Sequence, residues 1–199
     1  MIELDKYEGV IFDMDGTLID SMPTHLLAWE KTAEKYGFPF EPEWFYQLGG
    51  TPTHKTARKI QVDLSVTVPL DLLIQSKVAF YEAIENKGEL IPATYEVLLH
   101  YAEQKPIAIG TGSQRKHAEE LLESHNLMHY FNAIVTANDV KEHKPHPETF
   151  IKAATEMGLV PSACVVFEDT WLGAQAAKAA GMDCYLVQSG EITQFIPRD

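Results

Sequence analysis

The chain has 199 residues, 45% hydrophobic and 23% charged, which suits one compact domain with room for a smaller insertion. Its 29 acidic and 16 basic residues give a net charge of −13, which argues against nucleic acid or an anionic membrane as the main partner but leaves room for an anionic substrate in a locally basic pocket. No stretch reaches the roughly 18–20 apolar residues of a membrane span, and the opening "MIELDKYEG" lacks the basic and apolar regions of a secretory signal, so a cytoplasmic location is expected.

The first predicted element is the apolar run Gly9–Asp13, which reads as a buried strand. Residues 18 to 86 then carry helical patterns, "PTHLLAWEKTAEKYG", "EPEWFYQL", "TPTHKTARKI" and "PLDLLIQSKVAFYEAIE", broken by Gly and Pro. Trp29, Trp44 and Phe45 read as packing residues among these helices. The next strand pattern is Ile107–Thr111, and the interval is far longer than an ordinary crossover. It predicts a helical insertion, a cap, emerging beside the end of the first strand. From there strands and helices alternate: helix Gln114–Ser124, strand Ala133–Thr136, helix Pro147–Met157, strand Cys164–Glu168, helix Trp171–Ala180 and strand Cys184–Val187. Such near-continuous apolar strands suit a parallel sheet covered on both faces. The expectation is an α/β, doubly wound parallel sheet, with residues 1–17 and 87–199 as the core and 18–86 as the cap. Cys164 and Cys184, without a CxxC or Cys/His cluster, read as buried free thiols of a reducing compartment.

Chemistry gathers at the predicted strand ends, where open parallel sheets bind ligands. Asp13 ends the first strand and Asp15 follows in a turn that Gly16 allows. Two carboxylates so close repel, and a divalent cation would relieve them. The fourth strand ends in Glu168-Asp169, which meets Asp13 if that strand neighbours the first. An all-oxygen ligand set points to a hard ion such as Mg²⁺. The second strand ends in Thr111-Gly112-Ser113 before a helix, a pattern that offers hydroxyls and free N–H groups to an anion. Lys144, in "EHKPHPE", adds a cation before another helix. Each feature alone has an ordinary reading: a solvated turn, a helix cap or a surface lysine. Four successive strand ends offering compatible chemistry, in an order that the topology brings together, favour a common site. His117, His143 and His146 have no metal-ligand spacing and read as surface residues.

These motifs, "DMDGT", the "TGS" turn, the "KP" lysine and "ED" followed by "TWLGAQAAKAAGM", resemble the haloacid dehalogenase superfamily of aspartate-nucleophile phosphotransferases, over nearly the whole chain. The inserted cap resembles that of the β-phosphoglucomutase-like subfamily. "GTPT", "GTGS", "MHYFNAIV" and "VVFEDTWLGAQAAKAAGMD" resemble its small bacterial phosphatases of fructose 1-phosphate and related sugars. The resemblance implies that Asp13 attacks phosphorus to form an aspartyl-phosphate and that Asp15 transfers protons. It implies Mg²⁺ on the Asp13 side chain, the Asp15 main chain and Asp169, with Glu168 nearby. Thr111, Gly112 and Lys144 would hold phosphoryl oxygens. His25 and Ser21 align with a cap histidine and a nearby hydroxyl, and Lys77 is a further candidate to face the substrate. The expected partner is a small phosphorylated sugar met by a monomer.

Two other readings remain in view. A phospho-aspartate signalling domain shares the acidic pocket but has neither the helical insertion nor DxDGT. A sugar-phosphate mutase needs a cationic grip on a second phosphate, an arginine in the cap loop. Here Thr53 stands at that place, and Arg58 lies further along the next predicted helix.

Overall fold

The computed structural model describes residues 2–199. Strands β1 (Gly9–Phe12), β2 (Ile107–Gly110) and β4 (Cys164–Glu168) are buried at every residue, which is why their sequences carry no polar alternation. With β3 (Ala133–Val135), β5 (Asp183–Gln188) and β6 (Glu191–Ile196) they form one sheet in the order β3-β2-β1-β4-β5-β6. β1 lies parallel between β2 and β4, with Phe12 paired to Ile109 on one side and Phe167 on the other. That register brings the ends of β1, β2 and β4 side by side, and the Asp13 N–H extends the ladder by donating to the Phe167 carbonyl at 2.9 Å.

Helices cover both faces. On one, α5 (Pro92–Tyr101) and α6 (Arg115–Ser124) bury Val97, Leu98, Leu121 and Leu122 against Val10, Phe12 and Phe167. On the other, α7 (Glu148–Glu156) and α8 (Trp171–Ala179) bury Phe150, Ala153 and Ala177 against Ile11, Val166 and Cys184. The small alanines of α7 and α8 let those helices approach the sheet closely. The expected doubly wound α/β fold is present.

Between β1 and α5 the chain forms α1 (Met22–Tyr36), α2 (Pro42–Tyr46), α3 (Thr53–Asp63) and α4 (Leu70–Glu82). These share an apolar cluster of their own around Trp29, Phe45, Ile60 and Leu73, with Trp44 against it. Burying each such side chain contributes about 1.5–3 kcal/mol, so the four helices have an apolar core of their own beside those of the sheet.

Two elements depart from the expected list. α5 is absent from it: Pro92 sits in its first turn, but its apolar face is short and follows the long helical stretch. The antiparallel β6 is also absent from it. Its residues are mostly exposed, so "EITQFI" lacks the apolar run that marks the inner strands. A two-residue turn of Ser189 and Gly190, both at positive φ, joins it to β5.

Candidate active site

The parallel register collects the predicted residues at one edge of the sheet. Asp13, just past β1, is 1% exposed, and its Oδ1 accepts from the Lys144 ammonium at 2.6 Å. Lys144 precedes α7 and also donates to Glu168 Oε1 at 2.7 Å, with its Nζ 4.7 Å from the centre of the Phe150 ring. Burial opposes the lysine charge, but Asp13 and Glu168 more than offset this and raise its proton affinity. The other oxygen of Glu168 accepts from the Thr170 N–H at 2.6 Å and the Thr170 hydroxyl at 2.8 Å, so both oxygens of this fully buried carboxylate are engaged.

Gly173 makes that arrangement possible. It lies in the first turn of α8, and a Cβ there would overlap the Glu168 carboxylate. Gly173→Ala is therefore expected to displace Glu168 and loosen Lys144. It should destabilise the protein by roughly 1–3 kcal/mol, readable as a lower melting temperature, and lower activity more than a distant alanine would.

Asp15 lies in the turn after β1, where Gly16 adopts φ +81° and a Cβ would overlap Asp169. One Asp15 oxygen accepts from the Ser21 hydroxyl at 2.5 Å and faces His25 Nε2 at 3.2 Å; the other accepts from the Ser113 hydroxyl at 2.6 Å. Burial alone would raise its pKa, but these three partners hold it below the ordinary carboxylate range. His25 meets the Lys77 ammonium at its other nitrogen, 2.9 Å away. Burial and Lys77 lower the His25 pKa despite Asp15. A neutral ring accepting from Lys77 at Nδ1 and donating to Asp15 from Nε2 satisfies both contacts. Lys77 is itself buried, which pushes its pKa down to about 8 against the pull of Asp15.

Thr111 lies just past β2 and is buried; its hydroxyl oxygen accepts from the Ser113 N–H at 3.0 Å. Gly112 follows, so close to the Gly50 carbonyl that a Cβ would overlap it. The loop before α3 thus closes directly over the strand-end turn.

The carboxylates fit a cation. Asp13, Glu168 and Asp169 each offer an oxygen within 4.8 Å of the others. Asp13 Oδ2 is buried with no hydrogen-bond partner. Burial, with Glu168 and Asp15 nearby, pushes Asp13 up to about 7 against the pull of Lys144. Burial, Glu168 and Asp13 likewise push Asp169 well above the usual range. One lysine leaves the three carboxylates undercompensated, and a hard divalent ion supplies the missing charge. A groove of ≈ 800 Å³ lined by Gly16, Tyr46 and Gln188 reaches Asp169 from outside.

A separate cavity of ≈ 110 Å³ lies between the α1–α4 helices and the sheet edge. Asp15, His25, Lys77, Ser113 and His117 form its polar wall, and Trp29, Phe45 and Leu48 its apolar one. Thr53 lines it too; Arg58 is exposed and is not among the described lining residues. Two histidines differ from their expected surface placement. His143 is 8% exposed because His54 of α3 packs edge-on against it, ring centres 5.7 Å apart. His117 is half-buried against Tyr81 of α4, at 4.1 Å. In both cases the covering partner comes from a helix remote in sequence. His146 is exposed, as expected. The Tyr46 hydroxyl, 3.5 Å from Asp169, had no distinguishing sequence signal. Cys164 and Cys184 are buried and free. Among the described residues, no helix is long and apolar enough to cross a membrane.

The chain is similar in sequence and fold to known proteins. The sequence pattern of the haloacid dehalogenase-like hydrolases matches residues 10–187. The chain is 42% identical over 183 residues to fructose-1-phosphate phosphatase YqaB of Escherichia coli, covering 90% of this chain and 95% of that protein. It is 31% identical to a phosphorylated carbohydrates phosphatase of Thermotoga maritima, covering 88% and 82% of the two chains. The crystal structure of β-phosphoglucomutase from Clostridium difficile superposes with a TM-score of 0.80 at 25% identity, covering 92% of this chain and 85% of that one. With the fold, the strand-end carboxylates and these similarities together, the chain belongs to the haloacid dehalogenase-like hydrolase family.

Proposed function

We propose that this phosphoric monoester hydrolase is a Mg²⁺-dependent phosphatase of small sugar monophosphates, fructose 1-phosphate among them, working through an aspartyl-phosphate on Asp13. The observation that carries the reading is the pairing of Asp13 with Lys144 beside an Asp15 held by Ser21, Ser113 and His25. The sugar-phosphate phosphatases among its relatives support the substrate class.

In this mechanism an Asp13 oxygen forms a bond to phosphorus while the bond from phosphorus to the sugar oxygen breaks. Asp15 gives that departing oxygen a proton. Water then attacks the phosphorus of the aspartyl-phosphate and passes its proton to Asp15, freeing phosphate and the Asp13 carboxylate. At rest its donors keep Asp15 ionised; a bound phosphate dianion raises its proton affinity. Lys144, the Thr111 hydroxyl and the Gly112 backbone hold the phosphoryl oxygens. Asp13, the Asp15 main-chain carbonyl and Asp169 would hold Mg²⁺, with Glu168 beside them. Bound there, Mg²⁺ would neutralise the carboxylates and the charge of the transferring group.

Residues 1–17 and 87–199 act as the catalytic core, with 18–86 as a cap that closes over the substrate and excludes bulk water. The free cysteines suit a reducing, cytoplasmic setting and a monomer is expected.

The similarity to β-phosphoglucomutase makes a mutase the second reading. Retaining a bisphosphate needs a strong cationic grip on the distal phosphate. Thr53, the residue that the resemblance puts in place of the mutase arginine, lends only a hydroxyl to the cavity wall, Arg58 is exposed, and of the lysines lining the cavity Lys77 is engaged by His25 and Lys116 is exposed. Supplied with β-glucose 1-phosphate and a trace of glucose 1,6-bisphosphate, the enzyme should release inorganic phosphate faster than it forms glucose 6-phosphate. The opposite ranking would establish the mutase.

A further inference from the structure

Among the residues that line the cavity, His117 has no part in the chemistry above and carries a buried polar atom with no partner. His117 sits in the first turn of α6 and lines the same ≈ 110 Å³ cavity as Asp15, His25 and Lys77. Its Nε2 is buried without a hydrogen-bond partner. Tyr81 of α4 packs against its ring at 4.1 Å, and the His25 ring centre is 6.3 Å away. The side chain, carried by α6 at the sheet edge, therefore meets α1 and α4 of the cap across the cavity. A buried polar atom with no partner in the protein is disfavoured until water or a ligand satisfies it.

The charge state of the ring narrows the choice of ligand. Burial and the nearby Lys77 push the His117 pKa down to about 4. The ring is then neutral at pH 7, with one nitrogen donating and the other accepting. A neutral imidazole makes a poor clamp for a second phosphate. It matches a hydroxyl, which can donate or accept.

We propose that His117 is a specificity-determining residue that hydrogen-bonds a hydroxyl of the substrate's sugar, favouring polyhydroxylated phosphate esters over esters without hydroxyls. The inference rests on the sugar-phosphatase reading. A site built to pair a substrate hydroxyl discriminates against esters lacking one because its own buried group is then left unpaired.

The test compares wild type with His117→Phe, which keeps a ring against Tyr81, and His117→Gln, which restores a donor and an acceptor. Each is measured with fructose 1-phosphate, other hexose phosphates and p-nitrophenyl phosphate. In His117→Phe the KM for the best hexose phosphate should rise about tenfold with kcat nearly unchanged, the cost of one lost hydrogen bond. The ratio of kcat/KM for that sugar over p-nitrophenyl phosphate should fall about as much, and His117→Gln should recover part of it. If His117→Phe does not fold, His117→Leu reads the same ratio. An unchanged ratio in a folded variant, with sugar phosphates still hydrolysed by wild type, overturns the role of His117 alone. A wild type that cleaves p-nitrophenyl phosphate but no sugar phosphate overturns the substrate reading and this inference with it.

Discussion

Asp13→Asn should abolish phosphate release, a loss of about 10⁴-fold or more, because the amide keeps the shape of the carboxylate but cannot attack phosphorus. The fold should survive. Asp13 is buried near Glu168, Asp169 and Asp15, so removing its charge relieves repulsion as well as weakening its pairing with Lys144. The melting temperature should therefore stay near that of wild type or rise while turnover vanishes. Asp15→Asn should slow turnover by about 10²–10⁴-fold, since it removes both proton transfers while leaving the nucleophile in place. Steady-state phosphate release and thermal melting on the same preparations check the pair. Near-wild-type turnover in Asp13→Asn would remove the nucleophile from the account.

Chelation is the second large effect. Exhaustive EDTA treatment should lower activity to about 1% or less, and Mg²⁺ should restore it. Ca²⁺ should restore little, because its longer and looser coordination misplaces the groups it holds. Asp169→Ala should raise the Mg²⁺ needed for half-activity by about tenfold or more, by analogy with the loss from weakening a metal's supporting contacts. A readout independent of turnover follows from the undercompensated carboxylates. At 100 times its Kd, Mg²⁺ should stabilise the folded protein by about 2.7 kcal/mol, so the melting temperature should climb with Mg²⁺ in wild type and much less in Asp169→Ala. Full activity in the metal-free protein would contradict the account.

The inner strands and the strand-end residues were legible in the sequence because burial on both faces leaves uninterrupted apolar runs. Gly9–Phe12 and Cys164–Glu168 therefore stood out, and with them the carboxylates that follow or end them. β6 was not legible because an exposed edge strand such as "EITQFI" carries no such run. α5 was hidden at the end of the long helical stretch. Within the site, residues close in sequence to a strand end could be placed from the topology alone. Those whose surroundings come from a remote element could not. His143 looked like a surface histidine until His54 of α3 covered it, and His117 until Tyr81 of α4 did. Lys77 is the intermediate case: its helix was read correctly, but its burial depends on how α4 faces α1 and the sheet edge.

The most direct test of the central claim is to trap the covalent intermediate. Wild-type protein is mixed with Mg²⁺ and excess fructose 1-phosphate, quenched in acid during turnover and treated with borohydride. Borohydride reduces an aspartyl-phosphate to homoserine and leaves free carboxylates intact, so peptide mass spectrometry locates the modified residue. The account predicts homoserine at position 13, dependent on substrate and absent in Asp13→Asn. Steady phosphate release with position 13 unmodified, or with homoserine at another aspartate, would contradict it.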